Sequence, residues 1–162
     1  MTMRLNVKGM DDLITALQMV GADSDEIISK AMYDGAGMIL DAVKREIEAL
    51  PEDDGYKKDG VLRSVITSSE KKDLIDHLGI AHFQKNGGKV STAVGFNGYS
   101  SHRTKKYPNG VPIALIARSI QSGSTVRSKN AFMNRAMKSV KEQVTLMMQT
   151  KIHEEIQKKM EG

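Results

Sequence analysis

Residues 23–50 read DSDEIISKAMYDGAGMILDAVKREIEAL and are followed by Pro51. Ile28, Met32, Ala36, Ile39, Val43, Ile47 and Leu50 recur at steps of three and four, the period that sets them on one face of an α-helix. At 1.5 Å per residue such a helix is roughly 40 Å long, and a face of this kind has to be buried. Asp23 followed by Glu26 has the spacing of a capping box, which starts the helix. Pro51, with no amide hydrogen, stops it. The Gly35-Ala36-Gly37 run inside it costs about 1 kcal/mol of helix propensity per glycine. A strand or second helix crossing closely at that point offsets the cost. The helix reads as core scaffold, and nothing on it has the pattern of a site.

The 162 residues suffice for one sizeable core. With no cysteine, disulfides and thiolate metal sites are excluded, which fits a reducing compartment. The opening MTMRLNVKGMDD has no apolar run of signal-peptide type, and no stretch of about 20 apolar residues occurs. The expectation is a soluble, intracellular protein without membrane contact. Three Phe, four Tyr, no Trp and eleven Met describe an aliphatic, methionine-rich core. The net charge of +4 hides a split: residues 1–84 carry sixteen acids and ten Lys/Arg, whereas 85–141 carry eleven Lys/Arg and no acid. Either the basic part meets an acidic partner or nucleic acid, or copies of the chain meet through unlike faces.

Outward from the long helix, Leu13, Ala16, Leu17 and Val20 mark a short amphipathic helix over 10–20 that folds back on it. Residues 52–60 are a polar, turn-rich link, without the alternating ligands and closing Glu of a calcium loop. Residues 60–66 fit either a short helix or a strand, and Leu62, Val65 and Ile66, clustered at helical steps, favour the helix. Residues 68–76 are loop or a brief polar helix. Ile80 to Gln84, then Lys85-Asn86-Gly87-Gly88, then KVSTAVGF with Val90, Thr92, Val94 and Phe96 alternating against Ser91, Ala93 and Gly95, predict an antiparallel hairpin. Residues 97–110, NGYSSHRTKKYPNG, are basic and poor in apolar anchors, and read as a flexible loop. The continuously apolar residues 111–120 fit either a central strand or a short buried helix; Ile113, Ile116, Ala117 and Ile120, at helical steps, favour the helix, followed by a polar loop. From Ala131, Phe132, Met133, Ala136, Met137, Val140, Val144, Met147, Met148, Ile152, Ile156 and Met160 form a second long stripe, with a C-terminal end that projects from the domain or meets a partner helix. The expected architecture is a single α+β domain over 1–162, a small antiparallel β-sheet packed against long amphipathic helices.

Catalytic signatures are missing. His77, His82, His102 and His153 lack the three- or four-residue spacing that puts two ligands on one helical face. There is no Gly-x-Ser-x-Gly elbow and no P-loop. The reading is no enzyme, no metal and no cofactor. Nucleic-acid binding is the chemical alternative. Arg103, Lys105 and Lys106 in the loop, with Arg127, Lys129, Arg135 and Lys138 farther on, can neutralise phosphates, and Tyr99 and Tyr107 flank the loop cations. No base-reading motif accompanies them.

The order of the pieces carries a resemblance. The helix to Pro51 is followed by Asp59-Gly60-Val61-Leu62-Arg63-Ser64-Val65-Ile66. Gly79-Ile80-Ala81 then leads into Lys89 through Gly95-Phe96. After the variable loop come Ala114 through Ser124 and Lys129-Asn130-Ala131-Phe132-Met133-Asn134-Arg135-Ala136. From about residue 25 onward this resembles the tail-completion proteins of long-tailed, lambdoid-type bacteriophages and prophages, which join the head-closure ring to the tail tube. Gln121 stands where that family usually has an acid, and Ala131 where it usually has proline. The resemblance implies an α+β structural virion protein of the neck, or head-tail connector, without enzymatic activity. It implies assembly as an oligomeric ring, a hexamer in the particle, present in the virion and, during assembly, in the host cytoplasm. The implied partners are further copies of the chain, a head-closure or adaptor protein, the tail tube or tail terminator protein, and non-specific contact with DNA in the channel. On this reading Arg103, Lys105 and Lys106 bind a neighbouring protein, and Arg118, Gln121, Arg127, Lys129, Phe132 and Arg135 are the candidate subunit-interface residues.

Overall fold

The stripe read from residues 23–50 forms helix α1, Ser24–Glu48, in a computed structural model that describes residues 2–5, 15, 19, 24–54, 65–86 and 89–162. Ile28, Met32, Ala36, Ile39, Val43 and Ile47 are buried along one side of it, as the period of 3.6 requires. Its last turn closes with the Leu50 amide donating to the Ile47 carbonyl at 3.1 Å, and Pro51 ends it. The second stripe forms the 30-residue helix α4, Phe132–Glu161. Its buried face runs from Phe132 and Met133 through Val140, Val144, Met148 and Ile152 to Ile156, and only then opens at the exposed Met160. The pairs Glu46 with Arg135 and Asp34 with Lys151 show that the two long helices run antiparallel. The two helices pack closely at Gly35, where an added methyl group would lie 3.1 Å from both Met148 Sδ and Val144 Cγ1. The close crossing expected at the glycine pair therefore falls on Gly35. Gly37 has open space around it.

The sheet is built on one central strand. β1 (Thr2–Leu5), β2 (Leu78–Ile80) and β3 (Gln84–Asn86) all pair antiparallel with β4 (Lys89–Phe96): β1 along one edge, β2 and β3 along the other. Thr92, Val94 and Phe96 of β4 are buried, the face predicted by the alternation. That face lies on α1, and the Phe96 ring meets Phe132 at the start of α4 with centroids 6.4 Å apart. The partner of β4 is not one continuous strand. Ile80 pairs with Val94 and Gln84 with Ser91, so three residues on one side oppose two on the other, a bulge. The Ala81 amide still donates to the Ala93 carbonyl at 2.7 Å, and the Thr92 hydroxyl donates to the Ala81 carbonyl at 2.8 Å, which fixes the offset.

Two shorter helices complete the described structure. α2, Ser68–Asp76, forms because Thr67 and Glu70 make a reciprocal capping box: the Thr67 hydroxyl accepts from the Glu70 amide at 3.1 Å and the Glu70 carboxylate accepts from the Thr67 amide at 3.0 Å. Leu74 on its inner face is fully buried. α3, Ile113–Ser122, buries Ile113, Ile116, Ala117 and Ile120 and ends at Gly123, whose φ of +78° suits glycine. The helix expected over 60–66 is corrected at its C-terminal end: Val65 and Ile66 are not helical, and Ile66 bridges Glu52 in parallel, its amide donating to the Pro51 carbonyl at 2.9 Å. β-branched residues beside a chain that proline has just straightened find a pairing edge there instead of a helical turn. Residues 60–64, Asp23 of the capping box, and the Gly87-Gly88 turn lie outside the described residues. So does most of the expected helix over 10–20, of which Thr15 and Met19 are described and helical.

Candidate functional site

The basic segment 97–110 leaves β4 and returns to α3 as a hydrogen-bonded projection. At its base Tyr99 bridges Pro112, the Ser100 amide donates to the Val111 carbonyl at 2.8 Å, and the Val111 amide donates to the His102 carbonyl at 3.0 Å. Gly110 allows this closure: with φ at +108°, a side chain there would lie 2.2 Å from the Ser100 carbonyl oxygen. At the tip, Thr104 and Tyr107 exchange backbone hydrogen bonds of 3.1 Å each way, a two-residue turn with Lys105 and Lys106 at its apex. Both lysines and Arg103 are exposed, and Lys106 Nζ stands 5.5 Å from the centre of the Tyr107 ring, a cation–π contact.

The root of the projection is tied to α2. The Ser101 amide and hydroxyl both donate to Asp73 Oδ2 at 3.1 Å, and the hydroxyls of Ser69 and Ser101 are 3.1 Å apart. Beneath it the His77 ring packs where any side chain on Gly98 would collide, at 2.6 Å from His77 Cδ2. At the start of the same helix, Asp54 accepts from the Ser68 hydroxyl at 2.6 Å and the Ser68 amide at 2.7 Å. These bonds, the hydroxyl first, hold the Asp54 carboxyl below its ordinary range. The arrangement presents three cations on a braced rod, suited to engaging an anionic surface.

The other candidate interface residues divide. Arg118 and Lys129 are exposed on α3 and on the link between α3 and α4. Arg135 is half-exposed, its Nε donating to Glu46 at 2.8 Å and its Nη2 to Asn130 at 2.8 Å. Gln121, Arg127 and Phe132 are turned inward. Gln121 Oε1 accepts from the Met133 amide at 2.9 Å, so α3 supplies the cap that Ala131, without a polar side chain, leaves missing from α4. Arg127 is 7 % exposed and donates to Glu70 at 2.7 Å, joining the α3–α4 link to the capping box of α2. Phe132 is wholly buried.

Around the projection, the apolar side chains of Tyr99 and Leu115 are exposed, 60 % and 41 %. The sequence carried that signal only as a tyrosine flanking the loop and one leucine off the buried stripe of α3. Among the described residues no group of three or more His, Asp or Glu stands together as a metal site, and no helix is long and apolar enough to cross a membrane. Comparison of the chain with protein families, with curated proteins and with solved structures returns no match.

Proposed function

We propose that the chain is a structural component of a bacteriophage or prophage neck, completing the tail and joining it to the head as one subunit of a ring. The observation that carries this reading is the order of sequence elements from the long helix to the 129–136 segment, which is similar to that of tail-completion proteins. The reading is supported by where those elements meet. Ile66, Phe96, Ile120 and Phe132, one from each of four motif segments, all belong to a single core, and Gln121 of one motif caps the helix opened by another. Such mutual dependence is expected of segments that define one fold.

In this reading the projection 97–110 delivers Arg103, Lys105 and Lys106 to an acidic face of the adjoining ring, while Arg118, Lys129 and Arg135 are the exposed positions left for contact between copies. Gln121, Arg127 and Phe132 act on assembly indirectly, by holding the shape of that surface. The proposed role is structural and involves no catalysis.

Add-back tests the proposal. Heads filled with DNA and finished tails, prepared from a phage whose copy of this gene is interrupted, are mixed with purified protein. Joined, infectious particles are the expected product. Failure to join, with heads and tails each competent when completed by their own proteins, refutes it. A second reading, nucleic-acid binding through the loop cations, is favoured by their exposure on a two-lysine tip. Sequence-selective duplex binding that survives ~0.3 M salt would establish it, because contacts to phosphate alone weaken steeply with salt.

A further inference from the structure

Residues 97–110 carry too few apolar side chains to be fixed by burial, so polar contacts have to set where the cationic tip points. Most of those contacts close within the projection itself: Ser100 with Val111 and His102, Val111 with His102, Thr104 with Tyr107, and Gly110 with Tyr107. Its foot is held by the Asn97 amide donating to the His77 carbonyl at 3.2 Å and the Ile113 amide donating to the Gly98 carbonyl at 3.1 Å. Beyond the foot, among the described residues, Ser101 alone carries hydrogen bonds from 99–111 to another element of the fold. Its amide and its hydroxyl share one acceptor atom, Asp73 Oδ2 on α2, each at 3.1 Å, and its hydroxyl also lies 3.1 Å from that of Ser69, one turn earlier on the same helix.

We infer that Asp73 is the positioning residue of the cationic tip. A carboxylate accepting from an amide and a hydroxyl makes charge-assisted bonds, about twice as strong as neutral ones. Two such bonds from one residue fix both the place and the direction of the chain at Ser101, two residues before Arg103. Because the projection is bonded to itself, it turns on its foot as one body, and a single fastening beyond the foot sets the aim of Arg103, Lys105 and Lys106 together. Without the Asp73 carboxylate the projection keeps its own hydrogen bonds and its exposed cations, but its direction spreads. The inference deepens the joining role and rests on that reading only for what the tip is aimed at.

Distances between spin labels test it. The chain has no cysteine, so Asn109→Cys near the tip and Lys141→Cys on α4, both at exposed positions, place one label on the projection and one on the body of the full chain. The parent pair should give a single narrow distance distribution. Asp73→Ala should make it at least about twice as broad, with the helical circular dichroism unchanged, because alanine suits a helix. Asp73→Asn, which keeps an acceptor oxygen, should recover much of the narrowness. Ser101→Ala leaves α2 untouched and the amide bond in place, so it should broaden the distribution less, and add little on top of Asp73→Ala. A parent distribution that is already broad, an Asp73→Ala distribution as narrow as the parent's, or fully additive broadening by the two substitutions overturns the inference. Particle joining is not read in this test, so its outcome and that of the add-back are independent.

Discussion

Two glycines two residues apart on α1 should respond unequally to the same substitution. Gly37→Ala adds a methyl group where nothing lies within 4 Å. Only the helix-propensity term then acts, stabilising by about 1 kcal/mol. For a chain of this size that is a melting-temperature rise of about 2–4 °C. Gly35→Ala gains the same propensity, but its methyl group arrives 3.1 Å from both Met148 Sδ and Val144 Cγ1. The thioether can yield by rotation, whereas the β-branched valine has little freedom in a helix. The crowding cancels most of the gain, so the two alanine variants should differ by roughly 1 kcal/mol, a difference that isolates the helix–helix contact. Gly35→Leu forces further carbons into filled space and should destabilise by about 1–3 kcal/mol. Urea unfolding followed by circular dichroism, with all variants in one buffer, measures these differences. If both alanine variants shift alike, or Gly35→Leu is as stable as the parent, α1 and α4 do not cross at Gly35 and the core described here is wrong.

Three further outcomes follow from other parts of the molecule. Gln121→Ala removes the acceptor for the buried Met133 amide and should lower the unfolding free energy by about 1–3 kcal/mol, while Gln121→Glu keeps an acceptor there and, at neutral pH, a charge that the helix N-terminus favours; urea midpoints of the two separate these cases. Asp54 has a folded pKa lowered from 3.8, chiefly by the Ser68 hydroxyl, so its contribution is present above pH 3.8 and lost as the pH falls through the lowered folded value. The stability gap between parent and Asp54→Asn should therefore be present at pH 6 and close in acid. Replacing Arg103, Lys105 and Lys106 together by serine should leave the circular dichroism spectrum and melting temperature unchanged, since all three are exposed, and should reduce the yield of joined particles; an unchanged yield would assign the projection no part in joining.

Legibility in the sequence tracked how far each signal was local. Both long helices and the alternation on β4 are readable because each carries its own period, 3.6 or 2, over eight residues or more; α3 is only favoured over a strand, because its run is short and almost continuously apolar. The 68–76 helix stood undecided because its apolar content is low, although Thr67 and Glu70 already have capping-box spacing. β1 leaves no such signal: four residues give too short a run, and the pairing from Thr2 with Gly95 to Leu5 with Thr92 joins distant parts of the chain. The bulge at 81–83 depends on the Thr92 hydroxyl finding the Ala81 carbonyl, which no window of sequence displays. At the candidate site, residue type alone could not divide the cations. Arg127 and Lys129 are two apart, yet one is buried on Glu70 and the other exposed. Gln121 and Phe132, read as candidate contacts between copies, spend their chemistry within the chain. The stripe of α4 is buried as far as Ile156, so its C-terminal end offers little apolar surface for contact between copies. The charge split and the braced cationic tip are the physical grounds for association.

The most direct test of the neck reading is the mass of the assembly, measured by light scattering over a ~100-fold concentration range, first for the chain alone and then with candidate head-closure and tail proteins. Connector rings are often completed only against a neighbouring ring, so the chain alone is allowed to be monomeric. With its partners it should enter a closed ring, a hexamer, that withstands dilution as a unit. A chain that stays monomeric at every concentration and with every partner contradicts the account.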